Sequence, residues 1–184
     1  MKPIPQKTSL FSFDTILEKA DLKKGQLVAD LGCGKSLFLL YALSTLVGQD
    51  GKVYGVDILP DIIETITREI RYHDLPGIKP VSGNLDANNG VAIPDNNIDR
   101  GFLINTIHQS SDSFTMLLES TRILKKDGLL IVVDWETTDS PIGPHKNQRI
   151  HNETIKETAS MAGLKLINEF KPGVYHYGLI FKKN

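Results

Sequence analysis

Short, nearly continuous apolar runs alternate along this chain with longer stretches whose apolar residues recur at helical spacing, and that alternation limits the folds open to it. Leu27-Val-Ala-Asp-Leu31 reads as a strand covered on both faces. The apolar stretch after Gly32-Cys-Gly34, running to Val47, reads as a buried helix. Lys52-Val-Tyr-Gly-Val-Asp57 is a second strand, and Pro60 opens the next helix with Ile62, Ile63, Ile66 and Ile70 along one face. Lys79 to Ser82 and Asp99 to Asn105 read as the third and fourth strands. Ser111-Asp112 caps a helix carrying Phe114, Leu117, Leu118 and Leu124, after which Asp127-Gly128 turns into the strand Leu129 to Val133. Asn152 caps a helix that Gly163 stops. The closing strands, near Lys165 to Phe170 and Tyr175 to Lys182, are joined so tightly by Lys171-Pro-Gly173 that they pair antiparallel. Five strand–helix units and a terminal hairpin predict a doubly wound three-layer α/β sandwich around a mostly parallel sheet, in one domain spanning residues 1–184.

Composition narrows the partners. Hydrophobic residues make up 40% and charged residues 23% of the 184, which is globular usage. A net charge of −1 provides no global field for nucleic acid or an anionic membrane, so neither is expected as a partner. The single cysteine, Cys33, excludes an intramolecular disulfide. The longest apolar run, Leu37 to Leu43, falls far short of the roughly 20 residues that span a bilayer. A soluble, cytoplasmic protein is the expectation, with a homodimer left as an open option.

In such a sheet, ligands bind at the carboxyl ends of the strands where the strand order reverses. The first strand ends in Asp30-Leu-Gly32-Cys-Gly34, and two glycines let a ligand lie directly against the backbone. Asp57, closing the second strand, stands where an acid accepts hydrogen bonds from both hydroxyls of a ribose. A dinucleotide fingerprint wants a third glycine where this chain has Leu37, and no phosphate-binding P-loop is present. Asp30, two residues before the first glycine, suits a ligand bearing an ammonium group. A carboxylate, an ammonium and a ribose together describe S-adenosyl-L-methionine better than NAD.

Four segments in order carry a family resemblance: Val28-Ala-Asp-Leu-Gly-Cys-Gly34, Val53-Tyr-Gly-Val-Asp57, Ile98-Asp-Arg-Gly-Phe-Leu-Ile104 and Leu124-Lys-Lys-Asp-Gly-Leu-Leu130. From about Asp21 to its end, the chain resembles class I S-adenosylmethionine-dependent methyltransferases, among them the small-molecule enzymes of the quinone-biosynthesis type. The resemblance implies a Rossmann-like three-layer α/β/α sandwich whose seven-stranded sheet carries an antiparallel C-terminal strand. It implies a cofactor site at Asp30, Gly32, Cys33, Gly34, Asp57, Ile58, Asn84, Leu85 and Asn105. Two departures stand out. Ser36 replaces a third glycine, and Asn84, with Asp86 two residues on, replaces the acid that contacts the adenine amino group.

The acceptor side is expected in Asn105-Thr-Ile-His-Gln109, after the fourth strand. His108 is open to three readings there: general base, acceptor hydrogen-bond partner, or cap of the following helix. Gln109 lies beside it, and Trp135, after the fifth strand, is either a pocket floor or core packing. His145, His151 and His176 lie on a loop, a helix start and the last strand, and no metal site is expected. Asn105 lacks the following Pro-Pro-Tyr of nucleic-acid amino-methylating enzymes, and one cysteine argues against arsenic methylation. The cover must come from residues 1–20 and the loop from Thr137 to Arg149, which favours a small acceptor. In-line displacement at the sulfonium methyl is the expected reaction. Its rivals are a non-catalytic module that binds S-adenosylmethionine and an NAD-dependent oxidoreductase.

Overall fold

Leu27–Leu31 forms β1 with four of its five residues buried, because helices cover the sheet on both faces. In the computed structural model, which describes residues 10–35 and 37–184, it pairs in parallel with β2 (Lys52–Asp57) on one side and β4 (Ile98–Ile104) on the other. β3 (Ile78–Ser82) extends the sheet beyond β2, and β5 (Leu124–Trp135) lies beside β4, both in parallel. β7 (His176–Lys183) inserts antiparallel between β5 and β6 (Leu164–Gly173). The order β3-β2-β1-β4-β5-β7-β6 reverses between β1 and β4, and the crevice for a ligand opens there.

Each face of the sheet carries its own apolar core. On one face lie α1 (Phe13–Ala20), α2 (Leu37–Val47) and α3 (Pro60–His73), whose Ile16, Leu40 and Ile66 are fully buried with Val28, Phe102 and Ile131 of the sheet. On the other face, α4 (Ser113–Ile123) and α5 (Asn152–Met161) bring Leu117 and Ile155 against Leu103, Val132 and Leu179. Of the α3 stripe, Ile62, Ile66 and Ile70 are buried as their spacing requires, while Ile63 is only partly buried against the same core. Among the described residues, no helix is long and apolar enough to cross a membrane.

Two expectations need correction. No helix follows β3: residues 83–97 form an irregular connection, so the chain has fewer strand–helix units than the alternation suggests. Leu85, Val91 and Ile93 fold that connection onto the core. Its backbone is held by α4, where Glu119 accepts the N–H groups of Asn89 and Val91 at 3.1 and 2.9 Å. The Arg122 guanidinium donates to the carbonyls of Val91 and Ile93 at 2.9 and 3.0 Å. The fifth strand also begins at Leu124 rather than Leu129, because Leu124 pairs with Ile98 ahead of a bulge. Residues 1–9 of the expected cover and Ser36 of the glycine loop lie outside the described residues.

Candidate functional site

The turn after β1 is tied to β2 before any ligand is considered. Val56 O accepts the N–H groups of both Gly32 and Cys33, at 2.8 and 2.9 Å. Asp57 completes the tie: Oδ2 accepts the Gly34 N–H and Oδ1 the Leu59 N–H, each at 3.0 Å. One carboxylate thus closes the glycine turn and orders the entry to α3. The two glycines serve different ends. A Cβ at Gly32, which has φ +83°, would stand 2.4 Å from Thr106 Cγ2, whereas at Gly34, φ +60°, it would meet nothing within 4 Å. Gly32 lets β1 and β4 approach, and Gly34 borders open space.

That space is a cavity of about 300 Å³ lined by Gly32, Gly34, Asp57, Ile58, Asn84, Leu85 and Gln109 of the expected site. Thr106, from the expected acceptor segment, and Leu59, Ile62, Ser110 and Met116, none of them expected as site residues, line it as well. Ile58 is 56% exposed, an apolar side chain standing open beside the Asp57 carboxylate. Asn84 turns its side-chain carbonyl back to accept the Asp86 N–H at 2.9 Å. Asp86 in turn accepts from the Ser110 hydroxyl at 2.6 Å and from the Ser111 N–H at 3.0 Å. The acid two residues past Asn84 therefore clamps the β3–β4 connection to the turn before α4.

Asp30 and Cys33 lie beneath the turn rather than along the cavity wall. Burial, with the neighbouring Asp57 charge adding to it, pushes the Asp30 carboxyl up to about 7. Among the described residues no lysine or arginine forms an ion pair with it. Burial and the same two acids raise the Cys33 thiol well above its ordinary value, which makes it a small packing group and not a nucleophile.

The turn after β4 is fixed by three side chains. Asn105 is left-handed at φ +54°, and its carbonyl accepts the Gln109 amide at 2.7 Å. Its side-chain Oδ1 lies 3.0 Å from Nε2 of His176, which is fully buried against Phe11 and Trp135. His108 Nδ1 lies 2.8 Å from Oδ1 of Asp134 near the end of β5. Trp135 is 5% exposed beneath the loop that follows it, with Arg149 stacked over its ring at 5.4 Å, and it does not line the cavity. The three histidines weighed for a metal stay apart in their bonding. His145 meets Asn147, His151 caps α5, and His176 meets Asn105.

A family model for methyltransferase domains matches residues 22–176. The demethylmenaquinone methyltransferase of Geobacillus stearothermophilus is 25% identical over 119 residues, 65% of this chain and 49% of that protein. Its counterpart in Bacillus mycoides is 28% identical over 116 residues, 62% of this chain and 46% of that protein. The chain thus spans about half the length of the curated relatives it matches. Among solved structures, a SAM-dependent methyltransferase from Aquifex aeolicus has a TM-score of 0.87 at 25% identity, covering 95% of this chain and 91% of that one. A TehB-like SAM-dependent methyltransferase from Corynebacterium glutamicum shares the fold with a TM-score of 0.72 at 21% identity, over 96% of this chain and 89% of that one.

Proposed function

The chain belongs to the methyltransferase-domain family whose model its residues 22–176 match, and from that membership we propose that it binds S-adenosylmethionine at the β1–β4 crevice and methylates a small-molecule acceptor. The observation that carries the reading is the pair of acids around an open glycine turn. Asp57 ends β2 beside the cavity, Asp30 is buried one strand over, and a Cβ at Gly34 would enter empty space. Asp30 is 3% exposed with no counter-charge among the described residues, which suits a ligand that brings an ammonium group. These groups fit S-adenosylmethionine, which when bound supplies an electrophilic methyl on a sulfonium.

The protein's own part is to bind, orient and exclude water. Asp57 keeps lone pairs beyond its two backbone donors for a ribose diol. Gly32 and Gly34 present backbone to the ligand, and Ile58 and Leu85 offer apolar contact to a base. Asn84 presents its amide edge, since its carbonyl already serves Asp86. Positive charge is dispersed rather than created during methyl transfer, so alignment in a dry pocket supplies much of the rate, roughly 7–11 kcal/mol of the barrier. Of Asn105, His108 and Gln109, only Gln109 lines the cavity; this turn after β4 is the proposed acceptor side, with α1 and the loop of residues 137–149 as its proposed cover. The curated relatives act on demethylmenaquinone, so hydroxylated aromatic rings are the first acceptors to try.

Titration calorimetry with S-adenosylmethionine, S-adenosylhomocysteine and NADH tests the cofactor. Binding of the first two without the third is expected; NADH binding alone would overturn the reading. Methyl incorporation into a panel of reduced quinones and phenols tests the reaction. Tight cofactor binding with no transfer across that panel would assign a non-catalytic module instead.

A further inference from the structure

Two histidines stand at the same edge of the sheet and are bonded in opposite senses. His176 meets Asn105 Oδ1 through Nε2, its Nδ1 is buried without a partner, and no part of it is exposed. His108 meets Asp134 through Nδ1, and its Nε2 has no hydrogen-bond partner among the described residues. A tenth of the His108 side chain remains exposed, against 1% for Asp134.

We infer that Asp134 is a positioning residue that holds His108 with its proton on Nδ1 and Nε2 free as a base, so that the acceptor is one that arrives protonated. This rests on the methyl-transfer reading above. The carboxylate is placed for that task. Oδ1 takes the Trp135 N–H at 2.7 Å as well as His108 Nδ1, and Oδ2 faces the His108 N–H at 3.3 Å. Every one of these partners is a donor to oxygen, so a buried carboxylate there draws the imidazole proton to Nδ1. Among the described residues no lysine or arginine pairs with Asp134; its ion-pair partner is His108. The Gln109 and His176 contacts already fix the β4 turn at Asn105, so the Asp134 bond adds orientation of one ring.

The proton balance follows. The acceptor's X–H bond breaks and its proton goes to His108 Nε2, while its electron pair forms the new X–CH3 bond. The S–CH3 bond breaks with its pair left on sulfur, and the positive charge passes to an imidazolium that faces the Asp134 carboxylate. That imidazolium then returns its proton to solvent. A phenolic or enolic hydroxyl, or a ring carbon made acidic by one, meets this description; a tertiary amine or a thioether does not.

The test begins on the intact protein without acceptor. Long-range nitrogen-15 correlation spectra of histidine-labelled protein should show His108 protonated at Nδ1. Asp134→Asn, whose amide can donate to Nδ1, should move the proton to Nε2, and Asp134→Glu should restore the first pattern. With S-adenosylmethionine and 1,4-naphthohydroquinone as probes, Asp134→Asn should lower kcat by about 10²-fold, with the KM for S-adenosylmethionine within a few-fold of wild type. A wild-type His108 protonated at Nε2, or an Asp134→Asn rate within three-fold, would overturn the inference even if Asp134→Asn folds poorly, since the first needs no variant. Methylation of tertiary amines or thioethers, with no transfer to hydroxylated rings, would overturn the acceptor class alone. Failure to bind S-adenosylmethionine would strike the underlying reading instead.

Discussion

Asp30 and Asp57 stand near the carboxyl ends of adjacent parallel strands, and the charge on Asp57 adds to burial in holding the proton on Asp30 up to about 7. The folded state therefore keeps a proton that the unfolded chain releases near 3.8. Stability contributed by that proton is full below pH 3.8 and is lost as pH rises through about 7. Asp30→Asn should remove this slope, so the variant gains on wild type between pH 4.5 and 7.5 by a few kcal/mol at most. Urea melts across that range measure it, and parallel curves would contradict it. Calorimetry should show the same variant losing S-adenosylmethionine affinity, since it lacks the charge that meets an ammonium.

Asp57 has two duties, and they separate by measurement. Asp57→Ala removes the acceptor for the Gly34 and Leu59 N–H groups along with the proposed ribose contact. Cofactor affinity should fall by about 1.5–3 kcal/mol. The ligand-free protein should also lose about 1 kcal/mol, because a turn donor and a helix-entry donor lose their partner. A folded variant with unchanged affinity would remove Asp57 from the ribose site.

A side chain at Gly32 meets the protein before it meets a ligand. Gly32→Ala puts a Cβ into Thr106, at 2.4 Å from Cγ2 and 2.6 Å from Oγ1, and should cost stability by roughly 2 kcal/mol or more. Thr106→Ala removes both atoms and should recover part of that loss, a coupling that a double-mutant cycle reads directly. Gly34→Ala faces open space, so it should cost the fold about 1 kcal/mol for its left-handed backbone while weakening cofactor binding more. Additive effects of Gly32→Ala and Thr106→Ala would rule the contact out.

These cases mark what sequence alone conveys. β1 and β2 are readable because buried parallel strands are short and apolar, and Asp57 because an acid closing the second strand beside a glycine turn suits a ribose; its two backbone bonds to Gly34 and Leu59 are not. The β3–β4 connection was not, since Leu85, Val91 and Ile93 follow no helical or strand period and are held by Glu119 and Arg122 from a later helix. Asp127-Gly128 reads as a turn, and only the Leu124–Ile98 pairing makes it part of β5. Asp134 passes for one residue of an apolar strand until His108, 26 positions away, is brought beside it. Asn105 and His176 are 71 apart, a separation over which no local pattern operates.

Arg149 gathers the carbonyls of the loop of residues 137–149 around one guanidinium. Arg149 donates to the carbonyls of Glu136, Thr138, Ile142 and Pro144 and to the Ser140 hydroxyl, at 2.8–3.1 Å. Arg149→Lys cannot reproduce that fork, because an ammonium offers three donors from a single nitrogen. The variant should keep the sheet and its melting cooperativity but expose residues 137–148 to faster hydrogen exchange and proteolysis. Protection equal to wild type across that loop would show that Arg149 is not its anchor.

His176 titrates in the opposite sense to Asp30. Burial lowers its imidazole from 6.5 to about 4, so the unfolded chain gains a proton below pH 6.5 that the folded state refuses. Stability is therefore present above pH 6.5 and lost as pH falls toward 4. His176→Phe keeps an aromatic ring against Phe11 and Trp135, deletes the unpartnered Nδ1, and gives up the bond to Asn105 Oδ1. Near pH 7 the gain and the loss are each about 1 kcal/mol and oppose one another, so stability should change little. As pH falls from 6.5 to 4.5 the variant should pull ahead of wild type. Over the same range Asp30 acts the other way, so a single pH–stability curve hides both groups. The difference between variant and wild type isolates each one. Urea melts of His176→Phe at pH 7, 5.5 and 4.5 should give a difference that widens toward acid, while Asp30→Asn gives one that widens toward base. A His176→Phe difference independent of pH would mean that the ring titrates in the fold as it does in the unfolded chain, and the buried neutral imidazole beside Asn105 would have to be abandoned.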